Sequence, residues 1–87
     1  MRLSAREGAK AFARGDVSWT SSSACSARVV DGVKTFFSYR EPIATINEKR
    51  KQAWVTSEKF SVTTSRHTGH VAGQLAIAGY EIVRSLP

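Results

Sequence analysis

The pair Asp31-Gly32 constrains this chain more than any other two residues. Both residue types accept positive φ, the backbone state that a two-residue hairpin turn requires if its twist is to match the flanking strands. On either side lie Ala27-Arg28-Val29-Val30 and Val33-Lys34-Thr35-Phe36-Phe37, runs that suit strands. The turn fixes the register: Val30 faces Val33, Arg28 faces Thr35, and Ala27 faces Phe36. Phe37 and Tyr39 then fall on the face opposite Phe36, so aromatic side chains stand on both faces. One face is expected to pack on a helix. The other is expected to be covered in part by the N-terminal segment.

A second hairpin follows. Pro42 lacks an N–H and bends or breaks the chain, Ile43-Ala44-Thr45-Ile46 resumes a strand, and a charged turn over 47–51 leads back through Gln52–Thr56. Ile43, Ile46, Trp54 and Val55 are candidate core or core-edge residues. Before the hairpins, Ser4 and Glu7 form a capping box ahead of a helix over Ala5–Arg14, which Gly15 ends. Ala5, Gly8, Ala9 and Phe12 share one side of it. Residues 16–26, rich in Ser and Thr, read as a loop leading into a strand near Ala24, an edge strand of small polar side chains being the alternative, and Trp19 is either a plug over the core or a surface ring for stacking.

After a connection over 57–64, in which Phe60 and Val62 alternate, a second helix is expected from Thr64 or Ser65 to Ala78. Its apolar face is Val71, Leu75 and Ala78, and Gly79 stops it. Gly69 and Gly73, four apart, imply either close approach of another element or a late start at His70. Tyr80, Ile82 and Leu86 mark a last strand. The reading is α+β: a small antiparallel meander sheet packed with helices, in the order α-β-β-β-β-α-β. A chain of 87 residues holds one domain, 1–87, with the first helix in 1–15 and the sheet and second helix in 24–86.

Thirteen Lys and Arg against seven Asp and Glu give a net charge of +6. That excludes an acidic mimic of DNA and favours partners with negative surfaces: nucleic acid, anionic lipid or acidic protein. The cations cluster. Arg2, Arg6, Lys10 and Arg14 recur every four residues along the first helix, and Lys49, Arg50 and Lys51 crowd a hairpin tip. Arg66 stands at the second helix start. These eight are the candidate partner-binding residues.

Chemistry is harder to place. His67 and His70 are three apart, but a zinc site needs two further ligands and none has motif spacing, so neither metal nor cofactor is expected. Cys25 is the one thiol, no Ser sits in a nucleophile elbow, the carboxylates are scattered, and no Gly-rich phosphate loop occurs. The chain reads as a non-enzyme. Its apolar runs are only a few residues long, which argues against a membrane span, and Met1-Arg2-Leu3-Ser4 leads into no signal-peptide core. A lone Cys fits a reducing cytoplasm.

From Tyr39-Arg40-Glu41-Pro42-Ile43-Ala44, through Trp54-Val55-Thr56, to Lys59-Phe60-Ser61-Val62-Thr63-Thr64-Ser65-Arg66-His67, the sequence resembles small proteins of unknown function from bacteriophages and other mobile elements. Their pattern is Ser-Tyr, a Pro-Ile-Ala turn, an apolar-Thr strand, and a Ser-x-Thr-Thr-Ser-x-His run. The resemblance spans about residues 37–80, and Phe60 stands where Tyr is commoner. It implies a phage-type accessory protein in a bacterial host cytoplasm that binds and blocks a host protein or ribonucleoprotein complex, as anti-CRISPR proteins do. Direct binding of DNA or RNA is the alternative. Thr63, Thr64, Ser65 and His67 are expected to serve structure at the start of the second helix. An anion site there, with Arg66, is the competing reading.

Overall fold

The computed structural model describes residues 2–21, 24–57 and 62–84. Its elements are β1 (Arg2–Leu3), α1 (Ala5–Ala13), β2 (Thr20–Ser21), β3 (Cys25–Val30), β4 (Val33–Ser38), β5 (Glu41–Asn47), β6 (Gln52–Val55), α2 (Val62–Ile77) and β7 (Glu81–Val83). The strands form one sheet in chain order. With the two-residue β1 and β2 set apart, the order is α-β-β-β-β-α-β, and the fold is α+β.

The central hairpin has the register its turn dictates: Val30 pairs with Val33, Arg28 with Thr35 and Ala27 with Phe36. Asp31 and Gly32 take φ of 51° and 79°, the left-handed pair that such a turn needs. Pro42 lies inside β5 rather than ahead of it. Phe37 pairs with Pro42 and Phe36 with Ala44, so Ile43 is the extra residue of a bulge. The bulge turns Ile43 and Ala44 inward together, and both are fully buried. The sheet is not a pure meander. β6 and β7 run parallel, because α2 carries the chain back across the sheet between them.

Both helices cover one face. The expectation that the N-terminal segment would cover the second face is not met: α1 packs against α2 and over β3, while α2 lies over β5 and β6. Phe36 is the meeting point. Phe12 approaches it edge-on with centroids 5.4 Å apart, and Trp19 meets it at 5.5 Å. Ile43, Val55, Val71 and Leu75 close the core around them. Trp19 is thus a buried plug, its indole N–H donating to the carbonyl of Asp16 at 2.8 Å.

α1 is capped as expected. The Ser4 hydroxyl accepts from the N–H of Glu7, and the Glu7 carboxylate accepts from the N–H of Ser4. Arg14 is the C-cap, and Gly15 follows with φ of 86°. Arg2 is not part of the helical stripe. It lies in β1, paired parallel with β2, where a loop was expected. The start of α2 is also earlier than expected, at Val62, which places Thr63, Thr64 and Ser65 within the helix. Phe60 and Leu86 lie outside the described residues. Tyr39 sits in the β4–β5 turn with φ of 57° and is exposed.

The glycines divide into two kinds. At Gly8 a Cβ would come 2.4 Å from the Trp19 ring, so only a bare backbone lets Trp19 reach Phe36. At Gly69 and Gly73 a Cβ would meet nothing within 4 Å, so neither close approach nor a late helix start explains them. Gly→Ala in a helix ordinarily stabilises by about 1 kcal/mol. The sign should invert at Gly8. Gly8→Ala is expected to lose about 1–3 kcal/mol through overpacking, whereas Gly69→Ala and Gly73→Ala each gain about 0.5–1 kcal/mol. Urea unfolding of the three variants checks this, and a stabilised Gly8→Ala would refute the packing.

Candidate functional site

The residues that look most chemical are sealed inside. Ser38, at the end of β4, is fully buried and faces α2. Its Oγ lies 2.7 Å from Nδ1 of buried His67 and donates to Oγ1 of Thr64 at 3.2 Å. With the Ser38 proton directed to Thr64, the Nδ1–H of His67 donates to Ser38. One helical turn on, the Thr68 hydroxyl donates to the carbonyl of Thr64 at 3.0 Å. The Tyr39 ring stands 6.3 Å from the imidazole, towards the surface. The Ser-Tyr and Ser-x-Thr-Thr-Ser-x-His runs therefore meet as one hydrogen-bonded lock between β4 and α2. The structural role expected for Thr64 and His67 is what the geometry provides. Thr63, Ser65 and Arg66 point outward, exposed. Cys25 is equally closed off, and burial pushes its thiol up to about 11. Among the described residues no three His, Cys, Asp or Glu cluster as metal ligands would. No described helix is long and apolar enough to cross a membrane.

The eight predicted cations separate. Antiparallel pairing puts the β3–β4 and β5–β6 turns at one end of the sheet, since Lys34 pairs with Ile46. The end of α1 reaches the same place: a Cβ at Gly15 would lie 2.9 Å from Oε2 of Glu48 and 3.0 Å from Nζ of Lys34. Lys34 and Glu48 form an ion pair at 2.9 Å, half neutralising this rim. Around it, Arg14, Lys49, Arg50 and Lys51 are exposed. Asn47 shapes the turn, its Oδ1 accepting from the N–H of Arg50 at 3.2 Å.

Lys51 has φ of 55°, a conformation that costs a non-glycine residue about 1–2 kcal/mol. It sets the ammonium over the Tyr80 ring at 4.3 Å and presents its carbonyl to the N–H of Glu81. That cation–π contact offsets only part of the cost, about 0.5–1 kcal/mol at an exposed position.

Arg6 and Lys10 continue the α1 stripe away from this end, both exposed. Lys10 and Arg14 border a shallow groove of about 350 Å³ whose walls also carry Glu7 and Asp16, so the local field there is offset. Both carboxylates stay below their ordinary pKa. The N–H and hydroxyl of Ser4 hold Glu7 down, and the N–H and hydroxyl of Ser18 do the same for Asp16. Arg66 is not part of the basic end. It sits with Tyr39 and Arg40 at the opposite end of the sheet, near the start of α2. Arg2 is off the helix, in β1.

One feature was not anticipated from the sequence. An open groove of about 570 Å³ adjoins the basic end, lined by Val33, Trp54, Val83, Thr45 and Lys49 among others. Trp54 is half-buried, and its Nε1–H is shielded from solvent with no acceptor among the described residues. A buried donor left so costs about 1–3 kcal/mol. Arg28 lies on the same outer face, its guanidinium 3.9 Å from the Phe37 ring centre. The signal for this face in the sequence is the period-two alternation through Val33, Thr35 and Phe37.

Burial, and then the charge of His70, hold His67 below the ordinary histidine pKa. The unfolded chain therefore binds this proton more readily than the folded one. The stability it contributes is full above about pH 6.5 and falls as pH drops below that towards the folded value. Urea midpoints between pH 5 and 8 should decline on the acid side, and His67→Gln should flatten that slope while lowering stability overall. Equal slopes in both proteins would refute the lock.

No curated protein and no solved structure matches the chain. A family match does exist, and it runs from the middle of α1, through the Ser38–His67 lock and the basic turn, to the end of β7. Over residues 10–83 the chain matches, and belongs to, the Family of unknown function (DUF8033).

Proposed function

We propose that the protein is a non-enzymatic binding protein that docks its basic end on an acidic surface of a host protein or ribonucleoprotein complex and blocks it. The single observation behind this is the gathering of Arg14, Lys49, Arg50 and Lys51 around the Lys34–Glu48 pair. Two elements distant in sequence converge there on one exposed positive rim, with Lys51 held in a left-handed conformation. The burial of Ser38, His67 and Cys25 favours binding over catalysis. The resemblance to phage and mobile-element proteins supplies the biological setting, inhibition of a host defence complex of the anti-CRISPR kind in the bacterial cytoplasm. Exposed charges of this type act mainly on encounter rate, so the inhibitor would find its target by electrostatic steering.

A second reading is supported by the same Lys49-Arg50-Lys51 run: direct binding of DNA or RNA through phosphates. The two differ in sequence tolerance and salt slope. Affinity capture from host cells with the tagged protein identifies the partner. The association rate of Lys49→Glu/Arg50→Glu with it should then fall about 10-fold or more at low salt, with folding retained. Arg66→Glu, at the far end, should leave the rate within about 2-fold of wild type. Equal losses from the two variants would count against the basic end, and a nucleic-acid partner bound regardless of sequence would favour the second reading.

A further inference from the structure

The outer face of the sheet carries neither α1 nor α2, and its rows follow from the register. Arg28, Thr35, Thr45, Trp54 and Val83 stand side by side across five strands. Towards the basic end, Val30 and Val33 form the next row, 38% and 42% exposed. The groove between Val33, Trp54 and Val83 opens directly onto Lys49. Its floor is mainly aliphatic, with one half-buried ring, which suits an aliphatic side chain better than a stacked base. Its rim carries Lys34 and Glu48, which are ion-paired, and Lys49, which leaves it net positive, and the chain carries +6 overall, which opposes a second copy of itself. The Trp54 ring is the groove's one aromatic wall, and its Nε1–H, shielded and with no acceptor among the described residues, lies on the buried edge of that ring. Native proteins rarely leave such a donor unpaired.

We infer that this groove receives an acidic peptide segment of the partner. An aliphatic side chain seats between Val33, the Trp54 ring and Val83, and flanking carboxylates meet Lys49 and Arg50. This rests on the basic end being the docking surface, and it assigns the element docked there. A groove filled by an apolar anchor and ringed by polar contacts is how peptide sites combine affinity with orientation.

The test uses full-length ¹⁵N-labelled protein and a short capped peptide with a Leu-Leu pair between glutamates. A control peptide has both leucines replaced by serine. The indole N–H resonance of Trp54 is expected to move and saturate with the leucine peptide, while that of buried Trp19 stays in place. Val33→Ser should weaken binding about 10-fold without disturbing the spectrum elsewhere. Lys49→Glu/Arg50→Glu should weaken it in a salt-dependent manner. An unmoved Trp54 resonance at millimolar peptide overturns the inference, as does equal binding of the serine control. In the second case the basic end still binds anions and the broader function survives. A Trp54 shift caused by raising protein concentration alone, or a larger one from oligothymidylate, also overturns it, in favour of a second copy or of single-stranded nucleic acid.

Discussion

Phe36 organises this molecule. It stands on the inner face of a central strand, and Phe12 from α1 and Trp19 from the following loop both reach it at about 5.5 Å. The approach is possible because residue 8 has no side chain. Two consequences follow. α1 must lie beside α2 on the same face, since Phe12 and Leu75 share one core. The outer face is then left without either helix. A small domain buries only about 60% of its surface, and here most of that burial falls on the helix side of the sheet, Thr35 and Phe37 being buried on the other. The asymmetry separates a side that holds the fold from the side that the proposed function assigns to binding.

The hydrogen-bonded lock completes the first side. Ser38 and His67 are a pair that a catalytic reading would single out, with Oγ 2.7 Å from Nδ1. Their burial and their link to Thr64 make them a tie between strand and helix. Satisfied buried networks of this sort specify one arrangement of elements, because any other leaves a polar group unpaired. The residues around which the sequence pattern is densest are thus the ones least able to meet a partner. What faces outward is the charge at the turn end and the groove beside it.

Much of this was legible from sequence, and for identifiable reasons. Asp31-Gly32 fixed the central register because local turn chemistry leaves a two-residue hairpin few alternatives. The capping box and Gly15 likewise marked both ends of α1. Long-range geometry was not legible. Nothing local says that Arg14 meets the Lys49–Lys51 turn while Arg66 lies at the other end, or that Ser38 reaches His67 across twenty-nine positions. The early start of α2 was hidden because Thr63, Thr64 and Ser65 favour caps when judged singly. The parallel β6–β7 pair was missed because a three-residue strand after a helix carries no direction in its side-chain pattern.

On the proposed function the molecule divides into a holding face and a binding face. Amide hydrogen exchange of the protein, alone and in its captured complex, tests it most directly. Added protection is expected in the complex at residues 47–52 and around Val33, with α1 and α2 amides unchanged apart from the last turn at Arg14. Protection confined to the exposed side of α2, or to the Tyr39-Arg40 end, would contradict it.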